Sequence, residues 1–180
     1  WYTQMFQSRA IMYALYTTLL VAMISALVAT VIGTVTAIAI SHMKPVSKNI
    51  FMSISNIPML NADIVTGIAL MLWFSRFTNL GYVLISHITF NIPYVILSVM
   101  PKLKQTDRST YEAALDLGAS PAYAFFEVVF PDIMPGVLSG FLLAFTMSLD
   151  DFIITHFTKG AGINTLSTLI YSEVRRGIRP

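Results

Sequence analysis

The sequence predicts an all-α protein that crosses a membrane several times, and three observations support this. Only 11% of its 180 residues are charged and 56% are hydrophobic, whereas soluble domains carry about 25% charge. Apolar segments of the ~20 residues that a transmembrane helix needs recur along the chain. The one long polar stretch carries helix-capping signals. The composition therefore argues against a soluble domain and excludes a disordered chain.

The composition also excludes several classes of function. The formal net charge is only +2, so the electrostatic footprint of a nucleic-acid-binding protein is missing. The chain contains no cysteine, which excludes disulfides, zinc–thiolate sites and thiol nucleophiles. It has no Gly-Lys-Ser/Thr sequence and therefore no phosphate-binding loop. We expect neither a bound metal nor a cofactor in this chain.

Four segments are predicted to span the membrane, at about residues 11–41, 49–75, 82–100 and 133–156. The first is rich in Thr, Ser and Gly, which favours close packing against other helices. The second is interrupted by Pro58 and Asp63, and the third contains Pro93. We treat residues 1–180 as one transmembrane domain.

The distribution of basic residues predicts the orientation of these spans in the membrane. The loops after the first and third spans carry five of them, whereas the turn after the second carries only Arg76. Cytoplasmic loops are enriched in Lys and Arg, so the polar stretch at residues 101–132 is predicted to be cytoplasmic. The arginines near the C-terminus fall on the other side and do not fit this rule. The five basic loop residues are Lys44, Lys48, Lys102, Lys104 and Arg108.

The cytoplasmic stretch reads as two short helices joined at a glycine. Ser109 and Glu112 have the spacing of a capping box that begins the first helix. Gly118 suits the left-handed position that ends it. Ser120 is then the N-cap of a second helix, with Pro121 at its first position.

The first of these helices presents small side chains at Ala113, Ala114 and Gly118. Such a face fits a groove on another protein. The alternative is an amphipathic connector lying on the membrane surface.

These residues resemble the cytoplasmic signature of the permease subunits of ABC importers. In that family, Glu-Ala-Ala is followed after three residues by Gly, and after nine more by Ile, one residue and Leu-Pro. The spacing is kept throughout, and the two departures, Val128 for Ile and Phe130 for Leu, remain apolar. The matching residues are Glu112, Ala113, Ala114, Gly118, Val128, Phe130 and Pro131.

The resemblance implies a multi-pass protein of the bacterial inner membrane, in contact with lipid, whose loop is a coupling helix seated on a cytoplasmic ATPase. The implied partners are a second permease, a different homologue, two ATPase subunits that bind ATP and Mg, and an extracytoplasmic binding protein. The family core has about six helices, of which this chain would hold the second to the fifth. It begins at Trp1, so we expect a piece of a longer protein.

Three flanking segments are most similar to the second, C-type permease of spermidine/putrescine importers. The implied function is half of a polyamine path, and the alternative is a permease for another small cationic or polar solute. The three segments are residues 86–90, 115–120 and 148–151.

Three carboxylates in or beside the spans, Asp63, Asp150 and Asp151, are candidates for a cation path. No Lys or Arg lies within the spans, so we expect these acids to have no buried basic partner. Trp1 and Tyr94 are candidates for an aromatic wall that binds cations. Other roles stay open: a helix cap for Asp63, a solvated pair for the adjacent acids and an interfacial aromatic belt for Trp1.

A distant alternative is an intramembrane enzyme. Ser148, Asp151 and His156 could be drawn as a catalytic triad. They would lie on one helix with no oxyanion donor nearby, so the sequence favours a transporter over an enzyme.

Overall fold

In the computed structural model, residues 8–60, 63–74, 80–159 and 163–176 are described, and all regular structure within them is helical. One turn, Phe125–Val129, is π-helical. The α-helices are α1 (Arg9–Ser41), α2 (Pro45–Leu60), α3 (Asp63–Phe74), α4 (Leu80–Gln105), α5 (Arg108–Asp116), α6 (Pro121–Ala124), α7 (Phe130–Asp150), α8 (Ile153–Thr158) and α9 (Leu166–Arg176).

Three long helices, α1, α4 and α7, pack on one another and form the core. Small residues let them approach closely, as small residues do in membranes. A Cβ atom added to Gly33 of α1 would lie 2.7 Å from the Cβ of Val95 on α4. One added to Gly140 of α7 would lie 3.3 Å from the Cα of the same valine. Val95 thus sits between two glycine-bearing helices.

By length and composition, three helical stretches in the described part of the chain could cross a membrane: Arg9–Ser41, Leu80–Gln105 and Pro121–Asp150. The outer side of α1 is apolar and exposed, at Tyr16, Val31 and Val35 for example. In a bilayer this surface faces lipid or another helix.

The predicted second span includes two described helices, α2 and α3. Residues 61 and 62, which connect them, lie outside the described residues. Asp63 is the first residue of α3. Gly67 of α3 lies against α8, where an added Cβ would be 3.1 Å from Phe157.

The second cytoplasmic helix and the fourth span, expected to be separate, form one continuous helical stretch from Pro121 to Asp150. The π-helical turn lies within it, directly before Phe130 and Pro131. Proline has no N–H to donate to the preceding turn, and a wider turn accommodates that loss. The stretch ends at Asp150, and α8 begins only at Ile153.

Candidate functional site

The joint between the two cytoplasmic helices has the predicted left-handed glycine. Gly118 has a φ of +88°, and no other residue in the described part of the chain has a positive φ. The N–H of Ala119 donates to the carbonyl of Ala114 (3.1 Å), and the N–H of Gly118 donates to that of Leu115 (2.9 Å). These two bonds define a Schellman motif, so the prediction for Gly118 is confirmed.

Of the two predicted N-caps, one is confirmed and the other is wrong. Ser120 caps the second helix as expected, its hydroxyl accepting from the N–H of Tyr123 (3.3 Å). The predicted capping box of Ser109 and Glu112 is wrong. Asp107 caps α5 instead, accepting from the N–H of Ser109 (2.9 Å). The helix begins two residues earlier than a Ser109 cap requires, because a carboxylate is an equally good N-cap.

The joint projects a surface with no partner among the described residues. Glu112, Ala113 and Gly118 are exposed and Ala114 is half-buried, while Pro131 is exposed farther along the chain. Beside the glycine, Leu117 is 90% exposed, and Tyr123 and Phe126 of the second helix are each 62% exposed. Such an apolar surface on a polar segment indicates a protein interface.

The predicted path residues Asp63 and Tyr94 lie on different helices. Asp63 is exposed at the start of α3, and Tyr94 belongs to α4. Tyr94 is half-buried, and its ring lies 5.3 Å from that of Phe90. Aromatic rings of this kind can bind an ammonium group. Trp1 lies outside the described residues.

The two adjacent carboxylates occupy different environments. Asp150 is exposed at the end of α7. Asp151 turns inward, and its side chain is 10% exposed. Its oxygens accept from the backbone N–H groups of Ile154 (3.2 Å) and Thr155 (2.9 Å). Asp151 therefore caps the short helix α8.

A buried histidine, His87 of α4, joins Asp151 to the helical core. Its Nδ1 lies 2.6 Å from Ser148 Oγ on α7, and its Nε2 lies 2.9 Å from Thr155 Oγ1 on α8. The same Nε2 is 3.5 Å from Asp151 Oδ2. Ser148 Oγ is also 3.0 Å from Ser25 Oγ on α1.

The expectation that the acids have no buried basic partner is therefore wrong for Asp151. Sequence reasoning missed His87 because it considered carboxylates and aromatic rings, and no histidine, for the cation path. Histidine is ionisable too and is rare inside transmembrane helices, so its position in the third predicted span was the available signal.

The sketched triad does not form as drawn. Ser148 and Asp151 both face His87, whereas His156 is exposed and stacks 5.1 Å from the ring of Phe152. Ser148 and His87 are only 4% and 2% exposed, which leaves a substrate no access to the hydroxyl. The cluster is an internal hydrogen-bond network.

Comparison with known proteins identifies the family. The sequence profile described as "Binding-protein-dependent transport system inner membrane component" matches residues 29–175. The chain belongs to this family. Its members are membrane permease subunits of transport systems and are not enzymes, and they carry no cofactor themselves.

Similar proteins cover the whole chain. The putrescine transport system permease protein PotI of Escherichia coli K12 is 36% identical over 190 residues, spanning 100% of this chain and 68% of its own length. The spermidine/putrescine transport system permease protein PotC of the same strain is 35% identical over 183 residues, spanning 100% and 69%. PotC of Haemophilus influenzae is 33% identical over 183 residues, spanning 100% and 71%.

This permease domain is thus an inner-membrane component that works with a substrate-binding protein and the other subunits of an ABC transporter. The candidate residues lie at separate places in the structure. They are the glycine joint, Asp63 of α3, Tyr94 of α4, and the inward-facing Asp151 with its exposed neighbour Asp150.

Proposed function

We propose that this permease carries polyamines, with putrescine and spermidine as the probes of choice. The carboxylate of Asp63, exposed at the start of α3, is the observation that supports this best. A polyamine presents ammonium groups on short methylene chains, which suit carboxylates and aromatic rings respectively. The relatives named for putrescine and for spermidine/putrescine transport agree with this substrate class.

The proposed path uses the carboxylates in sequence along the membrane. Asp63 lies at the start of α3, and Asp150 lies at the far end of α7 from the cytoplasmic joint. At least one of Asp150 and Asp151 acts with Asp63. Trp1 is assigned to the entrance on its aromatic character alone.

In this proposal, the glycine joint couples ATP hydrolysis to transport. The exposed surface around Leu117 and Gly118 is the proposed contact with the ATPase, which binds ATP and Mg. Two ATPase copies, a second and different permease, and a polyamine-binding protein complete the proposed assembly. Glu112, Ala113, Ala114 and Pro131 belong to the same coupling surface.

The test is uptake per assembled complex for Asp63→Asn, Asp150→Asn and Asp151→Asn. Each change keeps the size of the side chain and removes its charge. The loss of one ammonium–carboxylate contact should raise KM at least about tenfold, because hydrogen bonds to charged groups contribute ~1.5–3 kcal/mol. ATP hydrolysis stimulated by the loaded binding protein is measured alongside, since it should persist.

Glu173→Gln is the matched control, because it removes an exposed carboxylate of α9 outside the proposed path. Normal uptake in all three Asp variants would leave selectivity to the binding protein and contradict the path. Transport of a different small cation in preference to both polyamines would favour the alternative substrate class.

A further inference from the structure

The adjacent carboxylates Asp150 and Asp151 have the same chemistry but differ in exposure, and only Asp151 faces His87. Asp150 is exposed, whereas the side chain of Asp151 is 10% exposed. His87 is 2% exposed, lies on another helix and faces Asp151 directly. Neither local sequence nor helix periodicity distinguishes the two acids.

The number of available protons determines the direction of the hydrogen bond between His87 and Thr155. Thr155 has one hydroxyl proton, and it donates that proton to Asp151 Oδ2 (3.2 Å). The hydroxyl oxygen of Thr155 must then accept from the Nε2–H of His87 (2.9 Å). The ring therefore presents an N–H to Thr155 and, at 3.5 Å, to the carboxylate itself.

The opposite side of the ring can be satisfied in two ways. If Nδ1 accepts from Ser148, then Ser148 accepts in turn from Ser25. If Nδ1 carries a proton, it donates to Ser148, Ser148 donates to Ser25, and Ser25 donates to the carbonyl of Ala22 (3.3 Å). Both arrangements keep the Nε2–H directed at Thr155, so the contact does not depend on the charge of the ring.

The network joins the three core helices to the start of α8. Ser25, His87 and Ser148 belong to the three core helices, whereas Asp151 and Thr155 belong to the start of α8. Helix α8 packs extensively on α3, the helix that begins with Asp63. The position of α8 relative to the core is therefore set in part by one imidazole ring.

We infer that His87 is a positioning residue that divides the roles of the two acids. It holds Asp151 inside the bundle as the cap of α8, and it thereby leaves Asp150 as the carboxylate available to a cation. The role of Asp150 rests on the proposed function. The hold on Asp151 does not, and it can be measured without substrate.

The first test uses a cysteine probe in the assembled transporter. The chain has no cysteine of its own, so Ile154→Cys introduces its only thiol, at a site of α8 that is 0% exposed. Labelling by a membrane-impermeant maleimide should be slow with His87 present. With His87→Ala it should be about two- to tenfold faster per assembled complex, as expected for one lost net hydrogen bond.

Control variants separate positioning from general destabilisation. His156→Ala removes an exposed histidine from α8, the helix that carries the cysteine probe, and should leave labelling slow. His87→Gln supplies an amide that accepts from Ser148 and donates to Thr155, so it should restore protection. Thr155→Val removes only the bridging hydroxyl and should accelerate labelling even if His87→Ala fails to assemble.

Unchanged labelling in both His87→Ala and Thr155→Val, or equal acceleration by His156→Ala, would overturn the inference. Uptake supplies the second readout. His87→Ala should change the KM for putrescine, and His87→Gln should restore it. If labelling behaves as expected but Asp150→Asn transports normally, the polyamine path is wrong and the positioning of Asp151 by His87 still holds.

Discussion

The left-handed joint at Gly118 gives the sharpest test of coupling. An added Cβ would meet no atom of the described residues within 4 Å, apart from its two neighbours in the chain, yet φ is +88°. The cost of Gly118→Ala is therefore backbone strain alone, about 1–2 kcal/mol for an L-residue in the left-handed region. If the strain opens the joint, the docking-competent population falls by a factor of about 5–30.

Three variants separate strain from steric fit. Gly118→Asn should cost less than Gly118→Ala, because asparagine visits the left-handed region more readily. Gly118→Leu adds strain and bulk at an exposed residue whose Cβ position has no described neighbour within 4 Å, so the bulk would project toward a docked partner. A docked ATPase should therefore be lost most completely with leucine.

The assay measures the ATPase that co-purifies with each variant, and then ATP hydrolysis stimulated by the binding protein. Membrane insertion of the permease serves as the control, and we expect it to be unaffected. The expected order of ATPase retention is Gly, Asn, Ala and Leu, from most to least. Equal retention by all four would refute both the strain argument and the assignment of this joint to the ATPase interface.

Two further predictions concern stability. Gly33→Ala should lower the thermal midpoint of the solubilised complex more than Gly140→Ala does, because its Cβ would lie 2.7 Å from Val95 rather than 3.3 Å and overpacking costs about 1–3 kcal/mol. Hydrogen bonds from Ser109 lower the pKa of Asp107 below its ordinary 3.8. A lowered pKa stabilises the folded state above 3.8 and loses that effect as pH falls through the lower value. Hydrogen exchange of α5, corrected for intrinsic rate, should thus rise in acid, and Asp107→Asn should abolish the pH dependence.

The cytoplasmic joint was predictable from sequence because its determinants are local. Gly118 and Ser120 act on backbone atoms within five residues of themselves. The cap of α5 was missed for a related reason. Asp107 and Ser109 are both good N-caps, and sequence alone does not say which one the helix start selects.

The network around His87 was not predictable in the same way. Its contacts join residues 61 to 123 positions apart, and they exist only after three core helices have packed. Periodicity indicates which face of a helix is buried, but it does not indicate which residue of another helix lies opposite. The sequence thus identified the acids without distinguishing the inward-facing Asp151 from the exposed Asp150.

The arrangement of glycines and hydroxyls explains how a polar network can lie inside an apolar bundle. Close approach at Gly33 and Gly140 brings α1 and α7 against Val95 of α4. Farther along α4, the space between the three core helices holds Ser25, His87 and Ser148 instead of larger apolar groups. Small residues thus determine the spacing of the helices, and hydroxyls fill the resulting space with hydrogen bonds. A carboxylate with little exposure to solvent is tolerated at Asp151 because these bonds and the start of α8 satisfy it, which leaves Asp150 and Asp63 as the exposed carboxylates of the proposed cation path.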